Sequence, residues 1–323
     1  MLWAPSIIMI SVIIPTYKRP QLLRRAVESV LNQTVSDWEL IISDDEDPSG
    51  EAWAYLNELA AKDPRIRITR NTGAHGQVGN VNHCLQQVRG EWIKPLFDDD
   101  VLLPNCLEAF LKAVEGRPEV ALAGCLAHRF YDGEPRRADP AYARSAMEIT
   151  SQRYAHLAMY LQDGECGTMP TQMFITAAAI RAGALMAEDA QLFSAVDQIW
   201  FAEILRHGDR LHLPLILVEE HQGSHESVTS TISRTDLDAE CLVVKERLLQ
   251  YIPADVKRPS LAVACKMMLG IRGLHRIANR HYCEGLKLLI ASIHPYALWL
   301  TMQWVLRKLK PGYFTSTHRV RIN

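Results

Sequence analysis

The sequence predicts an α/β fold: a mostly parallel central sheet flanked by helices, followed by a helical, basic C-terminal extension. Three observations lead there. Short apolar, β-branched runs alternate with amphipathic helical stripes over the first third of the chain, which is the pattern of βαβ units. Polar clusters follow three of those runs at their carboxyl ends, where open α/β sheets bind ligands. The charge also divides: residues 255–323 carry twelve Lys/Arg against two acids, a net of +10, while residues 1–254 carry a net of −12.

Taken in order, residues 7–15 are an apolar run closed by proline, as a strand buried on both faces requires. Residues 21–32 place Leu22, Leu23, Ala26, Val27, Val30 and Leu31 on one helical stripe. Residues 38–43 predict a second strand, ended by Asp44-Asp45-Glu46-Asp47-Pro48. A helix at 51–61, a strand at 65–69, a helix at 79–88 and a strand at 91–97 follow. Further strands are expected at 120–126 and 171–175, with a polar excursion at 129–153 between them. Residues 197–207 read as an amphipathic helix stopped by Gly208, 211–218 as a strand, and the chain from 260 onward as helical.

The composition, 48% hydrophobic and 22% charged over 323 residues, is that of a globular protein without long disorder. Seven cysteines are scattered with no C-x-x-C pair and no zinc spacing, which points to reduced thiols in a cytoplasmic compartment. The apolar stretch 7–14 is better read as a first buried strand than as a signal peptide. No G-x-x-x-x-G-K-[ST] or G-x-S-x-G occurs, so P-loop and α/β-hydrolase chemistry are excluded. Gly73-x-x-Gly76-x-x-Gly79 lacks the opening G-x-G of a dinucleotide fingerprint. The aromatic residues are too few and dispersed for an RNA-stacking platform.

Asp98-Asp99-Asp100 carries the most chemistry. Three adjacent carboxylates repel one another, and burying them unpaired is costly. A hard divalent cation, Mg²⁺ or Mn²⁺, resolves the conflict and bridges carboxylates to substrate phosphates. Thr16-Tyr17-Lys18-Arg19 and Asp44-Asp45 stand at two other strand ends, so the three clusters make one site.

These residues resemble family 2 glycosyltransferases of the GT-A fold. The resemblance runs through Pro15-Thr16-Tyr17-Lys18-Arg19-Pro20, Ser29-Val30-Leu31-Asn32-Gln33, Ile41-Ile42-Ser43-Asp44-Asp45, Asn71-Thr72-Gly73, Arg89-Gly90-Glu91-Trp92-Ile93, Asp98-Asp99-Asp100 and Leu103-Pro104. It implies a nucleotide-diphospho-sugar donor, UDP favoured, held by Pro15, Thr16, Tyr17, Arg19, Asp44, Asp45, Arg70 and Asp98. It implies Mn²⁺ or Mg²⁺ at Asp99, with Asp100 assisting and His225, rather than His221, as a further metal neighbour. The general base of an inverting transfer is expected at Asp197, with Glu188 and Asp189 as competing carboxylates. Two positions depart from the family: Glu46-Asp47-Pro48 replaces the usual Gly-Ser, and Gly79-Asn80 stands where an Arg-Asn pair is common.

The expected organisation is therefore a catalytic domain at 1–235, with a nucleotide-binding half at 1–110 and an acceptor-binding half at 111–235, and the extension at 236–323. The acceptor implied is a hydroxyl of a glycan or lipid-linked sugar in cell-surface polysaccharide assembly. Nucleic acid is not an expected partner. Two alternatives are a nucleotidylyltransferase, whose glycine-rich basic loop is missing after the first strand, and a non-catalytic nucleotide-sugar-binding module. In the extension, residues 288–306 hold no charged side chain but include Tyr296, Trp299 and Trp304. Broken by His294-Pro295, this stretch fits a helix lying in an anionic cytoplasmic leaflet better than a spanning one. A helix packed on the catalytic domain is the alternative.

Overall fold

The structure, a computed structural model, describes residues 8–45, 50–131, 134–136, 147–161, 169–192, 194–222, 233–278, 280–309 and 319–322. Strand β1 (Ile10–Thr16) leads to α1 (Pro20–Leu31), whose first residue is a proline that tolerates the unpaired N-terminal position. Then come β2 (Trp38–Asp44), α2 (Glu51–Lys62), β3 (Ile66–Arg70), α3 (Gln77–Leu85) and β4 (Trp92–Pro95). The second half contains β5 (Val101–Leu102), α4 (Cys106–Val114), β6 (Val120–Tyr131), β7 (Glu134–Arg136), β8 (Met147–Thr150) and α5 (Gln152–Tyr160). It continues through β9 (Met173–Thr176), α6 (Ala177–Arg181), α7 (Val196–Ile204) and β10 (Asp209–Gln222). Helices α8 (Arg234–Leu248), α9 (Leu261–Ala278), α10 (Tyr282–Ala291) and α11 (Pro295–Leu309) precede a last strand, β11 (Arg319–Ile322).

Among the described residues these strands form one sheet in the order β11-β8-β10-β6-β9-β4-β1-β2-β3, with β5 on β10 and β7 on β6. Parallel pairing joins β3, β2, β1 and β4, and again β6 and β10. Strand β9 enters antiparallel between β4 and β6, and β8 and β11 extend the far edge antiparallel, so the sheet as a whole is mixed.

Strand alternation divides the core between two faces. Ile10, Val12 and Ile14 pack with Leu23, Val27 and Phe110 under α1 and α4. Ile13, Ile41 and Ile93 face the opposite layer with Val81, Trp200 and Phe201. Both faces of β1 and β2 are covered, which is why their sequences are almost continuously apolar rather than alternating.

Several expectations are revised by tertiary context. The polar excursion at 129–153 contains β7, β8 and the start of α5. Residues 288–306 are not one helix: the chain turns at Ser292–His294, between α10 and α11. The chain beyond 260 is helical through α11 but ends in β11, paired with β8. Among the described residues no helix is long and apolar enough to cross a membrane. No disulfide joins the six described cysteines.

Two glycines in the resembling motifs have steric reasons. A Cβ on Gly90 would stand 2.7 Å from the Met9 carbonyl oxygen and the Ser11 nitrogen, so the turn before β4 presses directly on β1. A Cβ on Gly79 would stand 1.7 Å from the Ala74 carbonyl oxygen. The Gly79-Asn80 departure therefore matches a local backbone that leaves no room for a larger residue.

Candidate active site

The carboxyl ends of β1, β2 and β4 meet, and short polar contacts lace them together. In register, Thr16 stands beside Asp44. Asn80, buried at the start of α3, donates through Nδ2 to the carbonyls of Thr16 (3.2 Å) and Ser43 (3.1 Å). The Asp45 amide donates to the Thr16 carbonyl at 2.9 Å, and the Asn71 amide to the Asp44 carbonyl at 2.8 Å. Asp44 is wholly buried at this junction.

The acidic triplet divides into two jobs. Thr16 Oγ1 donates to Asp98 Oδ2 at 2.7 Å. Arg19 Nη1 lies 3.2 Å from Asp98 Oδ1 and 3.3 Å from Asp99 Oδ2, so both carboxylates converge on one cationic point. Burial pushes the Asp98 carboxyl up to about 6, although Arg19 opposes the shift. Asp100 turns the other way. It accepts from Thr171 Oγ1 at 2.5 Å and from the His221 amide at 3.2 Å. Burial, then the charges of Asp99 and Glu220, push its carboxyl well above the usual range. Both its oxygens accept from the protein, so Asp100 clasps β10 to the acidic turn.

Beneath the turn lies a buried polar layer that sequence reasoning missed. Lys94 on β4 is fully buried, its Nζ donating to the carbonyls of Pro95 (2.8 Å) and Thr171. Burial lowers its pKa, opposed by Cys106, Cys125, Asp100 and Glu220. Glu220 is buried and accepts from Arg129 Nε at 2.8 Å. A lysine inside an otherwise apolar strand was a legible signal, because a buried cation needs acceptors. Thr171 and Glu220 carried no such signal, since both reach the site from parts of the chain distant in sequence, the turn before β9 and strand β10.

The other expected residues are placed as follows. Tyr17 is 46% exposed, with Lys18 Nζ over its ring at 4.8 Å, so an aromatic surface borders the β1 end. Pro15 pairs in register with Ser43 on β2. Asp45 accepts from Asn71 Nδ2 (2.8 Å), His75 Nδ1 (2.9 Å) and the Gly76 amide (2.7 Å), so its carboxylate ties down the entry to α3. Arg70 stacks over the Trp53 ring at 4.6 Å, beside Asp44 in register. His221 stacks on Phe130 (4.7 Å) and contacts Arg25 (3.0 Å) through Nε2. Burial and the Arg25 charge lower its pKa. His225 and residues 46–49 lie outside the described residues.

Asp197 opens α7 and is buried. Burial pushes its carboxyl up to about 8, with Glu240 adding repulsion while the Gln198 and Asp197 amides oppose the shift. Asp197 makes no hydrogen bond to the Asp98–Asp99 pair. Its competitor Asp189 is paired with Arg247 at 2.8 Å, and that bond holds its pKa below the usual range. A carboxylate held so low is a poor proton acceptor near neutrality. No shift of that kind ties up Asp197.

The site also fits a divalent cation. Its donors are carboxylate oxygens, which suit Mg²⁺ or Mn²⁺. Among the described residues no three His, Cys, Asp or Glu side chains form a protein metal cage.

The sheet, its helical layers and the site at the strand ends define a GT-A fold. The Glycosyl transferase family 2 model matches residues 11–180, and the chain belongs to that family. Among curated relatives, it is 39% identical over 119 residues to a Campylobacter jejuni GalNAc(5)-diNAcBac-PP-undecaprenol beta-1,3-glucosyltransferase. That alignment covers 36% of this chain and spans 38% of the relative's own length. The S. aureus TarS 1-349 structure in complex with UDP-GlcNAc superposes with a TM-score of 0.64 at 16% identity, covering 93% of this chain and 85% of that one. A Pyrobaculum calidifontis mannosyltransferase, in complex with GDP-Man and Mn2+, gives 0.54 at 14% identity, covering 94% and 81%.

Proposed function

We propose that this protein is an inverting, metal-dependent glycosyltransferase that moves a sugar from a UDP-sugar to a hydroxyl of a glycan or lipid-linked acceptor. The observation that carries this reading is the convergence of Thr16, Arg19, Asp98 and Asp99 at the carboxyl ends of β1 and β4, beside buried Asp44. Asp44 accepts from the nucleotide base, and the exposed Tyr17 ring gives it a stacking face. Asp98, oriented by Thr16, holds the ribose hydroxyls. Asp99 holds the metal, and Arg19 balances the paired carboxylates until the diphosphate arrives. Mn²⁺ or Mg²⁺, when bound, offsets the charge that builds on the departing nucleotide.

The acceptor hydroxyl oxygen attacks the anomeric carbon as the bond to the diphosphate breaks, and its proton passes to Asp197. A carboxyl pushed up to about 8 is basic enough to take that proton near neutral pH. Kinship with a relative named for an undecaprenol-linked substrate supports a lipid-linked acceptor.

Calorimetric titration with UDP-, GDP- and dTDP-sugars, with and without Mn²⁺, tests the donor half. Tight binding of one UDP-sugar that needs Mn²⁺ is the expected outcome. Binding of none of the three, or binding indifferent to EDTA, overturns it.

A further inference from the structure

The C-terminal helices α9, α10 and α11 pack together yet leave apolar stripes on their outer surface. Helix α9 meets its two neighbours through small residues. A Cβ on Gly273 would stand 2.9 Å from the Gly285 carbonyl oxygen on α10, and one on Gly270 would stand 2.9 Å from Thr301 Oγ1 on α11. Ser292, Ala297 and Thr301 are buried at these contacts. Val263, Met267 and Ile271 of α9 also pack with Ala297 and Leu300 of α11 in a small core, and a second set of large apolar side chains lies outside it. Of the twelve large hydrophobics exposed among the described residues, nine lie between 282 and 306. On α10, Tyr282 (62% exposed), Leu286 and Ile290 (59%) recur every four residues. On α11, Tyr296, Trp299 (49%) and Met302 recur every three. Each set forms one stripe on its helix. A helix of a water-soluble bundle turns such a stripe to the core. Close helix contacts through glycine with an apolar surface left outside suit a lipid neighbour.

We propose that the outer faces of α10 and α11 seat in the headgroup layer of an anionic lipid leaflet, as a monotopic anchor. Charge selects this occupant. Residues 261–309 carry seven Lys/Arg against one acid, Glu284, and Glu284 is itself paired with Arg276 at 2.6 Å. Arg280 and Lys287 are exposed beside the α10 stripe, where long cationic side chains reach the headgroups while their stems follow the apolar surface. Tyr296 and Trp299, stacked at 5.8 Å, are residue types that favour the membrane interface. A second copy of this chain is disfavoured, because a two-fold contact would bring the same basic face against itself. Neither helix is long enough to cross, so the anchor lies in the surface rather than through it. The inference deepens the proposed function, since a lipid-linked acceptor would be met at that same surface.

Co-sedimentation of the full chain tests it, using vesicles of phosphatidylcholine alone or mixed with phosphatidylglycerol, at low and high salt. We expect pelleting with the anionic vesicles only, weakened by salt because screening acts over about 10 Å at 0.1 M. Leu286→Gln/Ile290→Gln/Trp299→Gln should abolish it. Arg280→Gln/Lys287→Gln should weaken it on the order of ten- to thirtyfold. Both variants should keep the wild-type melting midpoint, because the altered side chains are exposed. The proposal fails if the wild-type chain stays in the supernatant with every vesicle, or if the triple variant pellets like wild type. It also fails if the chain sediments as a dimer that the triple variant splits, or if vesicles bind no better than an acidic protein competitor. UDP-sugar binding that persists while vesicle binding is absent sinks the anchor and spares the transferase reading. The reverse result does the opposite.

Discussion

Strands β1–β4 and the outer stripes of helices α10 and α11 use the same kinds of side chain in opposite ways. Around β1, the residues Ile10, Val12, Ile13 and Ile14 are completely buried on the two faces of the sheet. The polar groups at the strand ends find partners there: Thr16 with Asp98, Asn80 with two carbonyls, Asp100 with Thr171 and the His221 amide. On α10 and α11 Leu286, Ile290, Tyr296 and Trp299 stand in the open, while Gly285, Ala297 and Leu300 are buried. The difference teaches that apolar content alone does not locate a core. What decides is whether a neighbouring element covers the stripe.

The sharpest break of this comparison lies in the acid corner. Asp99→Asn should lower transfer on the order of 10³-fold or more and remove the Mn²⁺-dependent part of nucleotide affinity. Steady-state rates beside calorimetry check both halves. Wild-type turnover by this variant would remove Asp99 from the reaction.

Asp197→Asn should separate binding from chemistry, cutting transfer roughly 10²- to 10⁴-fold while UDP affinity stays near wild type. Loss of activity only in Asp189→Asn would move the proton acceptor there. The pH dependence has a definite sign. The base works ionised, so the wild-type rate should rise with pH and level off above about 8. Stability runs the other way. The Asp197 pKa is raised from 3.8 to about 8, so the folded chain holds a proton that the unfolded chain has lost. Its contribution to stability is complete below 3.8 and disappears as pH rises through about 8. Wild-type melting should therefore fall from acidic to alkaline pH more steeply than melting of Asp197→Asn, which calorimetry at matched pH values would reveal.

Ile13→Ala, inside the sheet, should cost about 2–5 kcal/mol in denaturant unfolding, since it opens a cavity that close-packed neighbours do not fill. Gly90→Ala should cost about 1–3 kcal/mol, because the added methyl meets the backbone of β1. The smallest effect belongs to the other region. Ile290→Ala should change stability by less than about 0.5 kcal/mol, as exposed positions do. A cost there equal to that of Ile13→Ala would mean that a protein surface covers α10, and would erase the contrast between the two regions.

The alternation of strands and helices to residue 97, and the three polar clusters, were legible because each is local. A strand's period and a turn's composition can be read without knowing what lies opposite. The boundaries then moved with pairing: β4 ends at Pro95, while β6 and β10 run well past the expected ends, to Tyr131 and Gln222, because they pair with each other. Strand β8 was hidden in a polar segment, since four residues show little periodicity and its pairing partners, β10 and β11, are distant in sequence. That Asp100 would be taken up by Thr171 and the His221 amide was not legible, because both are distant in sequence.

By itself the sequence determined the βαβ order, the acidic triplet at a strand end and the basic charge of the C-terminal region. These follow from local sterics, side-chain chemistry and charge, which travel with the chain whatever its fold. Tertiary structure alone decided which carboxylates share Arg19 and which serve the protein, that Lys94 is buried beneath the site, and that Asp197 titrates near 8. It also decided that the apolar faces of α10 and α11 point away from the protein. Burial, desolvation and the direction of a side chain are set by neighbours distant in sequence, and those neighbours exist only once the chain has folded.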